Sequence, residues 1–119
     1  MKNFKIQRAP FVVPTDDGKL IEEHFGLASI ISDLSLAHMI APAGWSEPFQ
    51  TPDFDEYTYI IKGKKKFLID GEEVILKAGE SIKISKGSRV QYSNPFDEIC
   101  EYIAICSPAF QIDLAHREE

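Results

Sequence analysis

Two carboxylates, Glu47 and Glu56, a lone tryptophan at Trp45 and three histidines, His24, His38 and His116, are the side chains of this 119-residue chain whose types invite chemistry. Both carboxylates lie in GWSEPFQTPDFDEYTYIIKG, where Gly44 is followed after five residues by Gln50, then by Pro52, after three more by Glu56 and after a further six by Gly63. A carboxylate held near a bound molecule can give or take a proton. Metal chemistry has less to work with. The amide oxygen of Gln50 is a weak ligand for iron, zinc or nickel, and Pro52 has no ligating side chain. An unconventional transition-metal site would need His38, His116 or Glu47, and their spacing offers no support for one. Cys100 and Cys106 stand in the strand-like CEYIAIC, about 20 Å apart in an extended chain and beyond disulfide reach. They read as small buried apolar residues of a reducing compartment.

The elements that must position these groups are short strands. Strong strand signals recur over Leu34 to Ile40, Glu56 to Ile61, Lys65 to Ile69, Glu73 to Leu76, Ser81 to Ile84, Arg89 to Tyr92 and Ile99 to Ile105, each bounded by turn residues. Asp70-Gly71 predicts a type I′ hairpin. Residues 1–17 form an arm or edge strand, since Phe4 to Pro14 is apolar but broken by Pro10 and Pro14. Residues 18–119 form the barrel. Asp16 to Gly26, across that boundary, reads as a polar loop or short turn carrying His24, and PAFQIDLAHREE as a last extended segment folded back over the barrel. The basic run Lys62 to Phe67 reads as a solvated hairpin end that discourages edge pairing. Many short strands with no long helical period predict an all-β sandwich or barrel.

The Gly44 to Gly63 frame resembles the first metal motif of the cupin superfamily, with Gln50 and Pro52 where that motif has its histidines. A second segment, GESIKISKGSRVQYSN, keeps the superfamily's positions at Gly79, Gly87 and Asn94, while Ser85 replaces a proline and Val90 a histidine. The resemblance implies a double-stranded β-helix, a small jelly-roll barrel. It also implies that Glu56 points inward, and alternation then takes Thr58 and Ile60 inward and Tyr57, Tyr59 and Ile61 outward. Val90 would face inward with Tyr92 and Asn94. The pocket would hold Gln50, Glu56, Thr58 and Tyr92, with Val90 as an apolar wall. Trp45 is either a lid or packed beneath its loop, and Glu47 either a second acid or solvated. His38 faces the cavity or the surface, and His116 would approach Glu56 if the tail crosses the mouth. Glu56 is the catalytic candidate, because a carboxylate inside a barrel is costly unless paired, metal-bound or protonated.

The chain is also similar in overall shape to small stand-alone cupins of the ethanolamine-utilisation type, in which the histidines are likewise depleted. The resemblance implies a homodimer that binds a small polar or acidic organic molecule, with metal-independent isomerase, cyclase or lyase chemistry on Glu56. A non-catalytic ligand-binding or sensor protein, and a metal-dependent enzyme with an unconventional ligand set, are the alternatives that the residues leave open. No cofactor is expected. The net charge of −6 and the lack of a basic cluster with interleaved aromatics disfavour nucleic acid. No segment approaches the roughly 20 apolar residues of a membrane span, and the N-terminus has no signal-like core, so residence in the cytoplasm is expected.

Overall fold

Alternation of apolar and polar residues dictates the architecture. The computed structural model describes residues 3–118 and folds them into two antiparallel sheets. The first has the order β1 (Phe11–Val12), β2 (Leu20–Phe25), β3 (Ser35–Ala41), β10 (Cys100–Ser107), β5 (Asp55–Lys62) and β8 (Ser81–Ile84). The second has the order β4 (Trp45–Ser46), β9 (Val90–Asn94), β6 (Lys64–Ile69) and β7 (Glu72–Lys77). This is the small all-β jelly-roll barrel that the spacing implies.

Strand β5 shows the alternation most clearly. Glu56, Thr58 and Ile60 are buried, whereas Tyr57, Tyr59 and Ile61 are exposed. Between the sheets, Ile60 and Tyr102 meet Phe67 and Val90, all fully buried. Each large apolar side chain so placed contributes about 2 kcal/mol. Phe67 and Tyr92 stack edge to face, with ring centroids 5.8 Å apart and planes at 84°. The β6–β7 hairpin turns through Asp70 and Gly71 at φ 48° and 86°, the paired positive values of a type I′ turn.

Two segments depart from the sequence reading. Residues 20–25 are strand rather than polar loop, because their charges are matched on both faces. Glu22 lies 2.8 Å from His38 on β3, and Glu23 turns inward to accept the Ala28 amide at 2.9 Å. Polar groups on both faces erase the alternation by which a half-buried strand is recognised. The tail folds back as expected, but it does so through one helical turn, α1 (Ile112–Ala115), rather than an extended strand. That turn buries Ala115 against Phe54 and Cys106, and the Leu114 carbonyl accepts the Asp53 amide at 2.8 Å.

Gly63 joins β5 to β6 and so carries the chain from one sheet to the other. Its φ is 78°, and a Cβ there would stand 2.2 Å from the Ile99 carbonyl oxygen. The left-handed backbone and the collision with rigid backbone act together. Gly63→Ala is expected to lower stability by more than about 2 kcal/mol, read as a fall in the urea midpoint at unchanged slope; a midpoint that does not move would show that the crossover relaxes freely.

Candidate functional site

The inward side chains stop short of filling the space between the sheets and leave a cavity of about 550 Å³. Ala37, Met39 and Tyr102 line it on the side of the first sheet, and polar groups converge on it from both sheets and from the loops at its mouth. A largely apolar cavity with a few convergent polar groups is the form a small-molecule site takes.

Glu56 reaches the cavity from β5 and Tyr92 from β9, and the Tyr92 hydroxyl donates a hydrogen bond to Glu56 Oε1. The buried carboxylate is therefore partnered. Burial first, and the adjacent Glu56 second, hold the Tyr92 phenol well above its usual range, so it remains a proton donor at neutral pH.

Lys65 enters the same cavity from β6 and is 2% exposed. Its Nζ lies 3.6 Å from the centre of the Tyr102 ring and 4.7 Å from that of Tyr92. Among the described residues it makes no hydrogen bond and no ion pair. Cation–π contact with desolvated rings contributes about 2 kcal/mol. The cost of an unpaired buried ion is several kcal/mol, so the proton is held weakly. Burial, and then the charge of Lys19, bring the amine down to about 7 against the opposing pull of Glu56 and Glu47. Lys19 precedes β2 and is only part-buried as a residue, but its Nζ stands inside, 4.4 Å from the Trp45 ring centre and 5.7 Å from that of Tyr102. Burial lowers its pKa as well.

At the mouth, Arg117 donates from Nε to Gln50 Oε1 at 3.2 Å and lies 3.8 Å from Glu47, whose side chain is 11% exposed. Glu47 is thus a cavity residue rather than a solvated one. Cys106 also lines the cavity, and both cysteines are free and buried, with their thiols pushed up chiefly by burial. Neither is placed to act as a thiolate nucleophile.

Of the pocket residues expected from the sequence, Glu47, Gln50, Glu56 and Tyr92 come together at the cavity and the others do not. Trp45 is buried beneath its loop, donating to Asp17 at 2.7 Å, and is no lid. Thr58 is buried in the body of the barrel with no partner for its hydroxyl among the described residues. Val90 is core, its backbone paired in both directions with Gln50. Asn94 is consumed by backbone, donating to the carbonyls of Ala41, Pro42 and Glu98. His38 lies between Ala37 and Met39, which face the cavity, so alternation turns it outward, 2.8 Å from Glu22 and 2.6 Å from Glu101. Glu101, supported by Glu22 and opposed by burial, holds its pKa above the usual value. His116 follows α1 at φ 50° and stays outside, 2.6 Å from Asp53. That turn sends Arg117 to Gln50 in its place.

A metal at the motif's histidine positions does not fit these residues. The Gln50 oxygen already accepts from a guanidinium, and Pro52 and Val90 have no donor. Among the described residues no group of three or more His, Cys, Asp or Glu side chains could hold a metal ion. The cations of the site are what sequence reasoning missed. The basic run is not uniformly solvated, since Lys64 is exposed and Lys65 buried. Period two from the buried Phe67 places Lys65 on the inward face and was the available signal. Lys19 and Arg117 lie outside any regular alternation and gave none.

The family model for the cupin domain matches residues 37–106. The chain is a cupin. It is 43% identical over 108 residues to the endoribonuclease YbeY of Myxococcus xanthus, an alignment that covers 90% of this chain and 37% of that protein. It is 39% identical over 59 residues to the acetate kinase EutQ of Clostridioides difficile, covering 50% of this chain and 36% of that one. The chain thus spans little more than a third of the length of these curated relatives. Among solved structures, Clostridium difficile EutQ superposes with a TM-score of 0.66 at 27% identity, covering 85% of this chain and 73% of that one. A variant of Streptomyces PAC13 solved with uridine superposes with a TM-score of 0.76 at 14% identity, covering 100% and 92%, which shows a shared fold. No helix among the described residues is long and apolar enough to cross a membrane.

Unfolded, Lys65 holds its proton up to about its ordinary 10.5; in the folded cupin it releases it at about 7. Between those values the unfolded chain binds more protons, so stability rises with pH. Lys65→Met is expected to raise Tm at pH 7 by about 5 °C or more. It should also flatten the rise in stability between pH 7 and 10, measured by urea denaturation at several pH values. Equal slopes in the two proteins would mean that Lys65 is solvated.

Proposed function

We propose that this cupin binds a small acidic organic molecule in the cavity between its sheets and moves a proton on it with Glu56 and Tyr92, the chemistry of an isomerase, cyclase or lyase that uses no metal at the histidine positions. The observation that carries this reading is the pair of side-chain ammonium groups of Lys19 and Lys65, held in one cavity with no carboxylate hydrogen-bonded or ion-paired to either Nζ among the described residues. Their mutual repulsion is relieved by an anion lying between them. The Tyr92–Glu56 hydrogen bond supplies a donor and an acceptor within the same cavity. The relative EutQ bears the name acetate kinase, and acetate is a small organic anion of this kind. The phosphoryl transfer in that name is not carried over, because the match covers about a third of that protein.

The homodimer belongs to the same proposal. Its support is the outer face of the first sheet, where Leu36 lies beside Ile105, Ile105 beside Tyr57 and Ile103 beside Tyr59. Tyr57, Tyr59 and Ile61 are 42%, 49% and 39% exposed, a contiguous apolar stripe that a second copy would cover.

A thermal-shift panel of small carboxylic acids is expected to contain at least one that raises Tm in the wild type and fails to do so in Lys19→Met. Turnover of that acid should fall about 10²–10⁴-fold in Glu56→Gln with Tm unchanged. A panel without effect, or a shift that survives Lys19→Met, would sink the acidic-ligand reading. For assembly, light scattering should give twice the chain mass for the wild type and the single-chain mass for Tyr59→Glu; a wild-type monomer counts against the dimer.

A further inference from the structure

We propose that Lys65 is a nucleophilic amine that forms an imine with the carbonyl carbon of a small oxo acid, whose carboxylate is held by the Lys19 ammonium. The inference deepens the function proposed above and rests on it.

The geometry is that of an amine prepared to react rather than to pair. Lys65 Nζ faces the cavity from a residue that is 2% exposed, and among the described residues it has neither a hydrogen-bond partner nor an ion pair. A lysine whose task was structural would be expected to end on a carboxylate or on backbone carbonyls, as Lys66 ends 3.1 Å from Glu73 on the outside of the same strand. Lys65 ends instead over the faces of Tyr102 and Tyr92, which shield it from water without consuming its lone pair once the proton has left. The charged and titratable groups that act on it are Lys19, Glu56, Glu47 and Cys100. With its pKa near 7, a substantial fraction of the amine is neutral at physiological pH. The Tyr102 hydroxyl is a second unsatisfied group, buried, without a partner among the described residues, on a side chain of the cavity wall.

The step balances without any oxidant or reductant. The nitrogen lone pair attacks the carbonyl carbon, a C–N bond forms, and the C=O π pair moves to oxygen. One proton passes from nitrogen to that oxygen, giving a carbinolamine; the group assigned to relay it is the hydrogen-bonded Tyr92–Glu56 pair, whose tyrosine ring centre lies 4.7 Å from Nζ. The hydroxyl then leaves as water, taking a proton that the same pair passes in from solvent, while the nitrogen lone pair forms the C=N bond and keeps its one hydrogen, giving an iminium. The iminium draws electrons from the neighbouring carbon, which lowers the barrier to the proton transfer or bond cleavage that an isomerase or lyase performs.

Pyruvate and glyoxylate serve as probes. The full chain is incubated with each in the presence of sodium cyanoborohydride, which reduces an iminium to a stable secondary amine, and intact mass and peptide mapping are read. The expected result is one trapped oxo acid per chain at Lys65, with a yield that rises as pH is raised through about 7. It should be absent in Lys65→Met and reduced several-fold in Lys19→Met. Adduct spread evenly over exposed lysines such as Lys64 and Lys83, or retained in Lys65→Met, overturns the proposal. A thermal shift by the same oxo acids is measured without reductant. A shift with no adduct overturns the imine and leaves the acidic-ligand reading standing. With neither shift nor adduct, the imine proposal is overturned, and the acidic-ligand reading is decided by the panel of carboxylic acids.

Discussion

An amine loses much of its hold on a proton when water is taken away, and in this barrel water has been taken from Lys65 without a counter-ion being supplied in contact. The arrangement around it follows from that constraint. Aromatic faces rather than carboxylates approach it, because rings stabilise a cation in part and tolerate a neutral amine equally well. Glu56, which could have neutralised it directly, is engaged by Tyr92 from the opposite sheet. The cavity also has a reason to remain open. Collapsing the sheets around Lys65 and Lys19 would remove the last space in which water or an anion can meet their charge, and the desolvation cost would exceed the gain from apolar contact.

The spacing that resembles a metal motif is held here by backbone bonds. Gln50 and Val90, at two of the histidine positions, exchange backbone hydrogen bonds at 2.9 and 2.8 Å, and the Pro52 carbonyl accepts the Gly87 amide at 2.8 Å. The two motif segments are thus fastened to each other by main chain. Their spacing serves strand pairing and turn closure whether or not imidazoles stand at the side-chain positions. Positive charge reaches the cavity on ammonium and guanidinium groups from β6, from the approach to β2 and from the tail.

Most of the barrel was legible because seven segments carry strand signals between turn residues, and the motif resemblance, extended by alternation, placed Glu56 and Tyr92 inward. Strand β2 was hidden by Glu22 and Glu23, whose partners His38 and the Ala28 amide are recognisable only once the chain is folded. The tail's apolar residues at every second position suggested a strand, yet the need to seal Phe54 and Cys106 with Ala115 imposed a helical turn. The candidate site was half legible. Its acids lie on a recognisable frame, whereas its cations carry the residue types most often found in solvent. Lys19 is placed by a ring at Trp45, far along the chain, and no local pattern reports that.

Lys65 has a lysine on either side. Side chains on a strand alternate, so a slip of one residue in the pairing of β6 would still present an ammonium to the interior, from Lys64 or Lys66, while expelling Phe67 and breaking its edge-to-face contact with Tyr92. Residue type at position 65 therefore does not by itself say which amine goes inside. The address is written two residues downstream, in the ring of Phe67, which is fully buried and fixes which face of β6 turns inward.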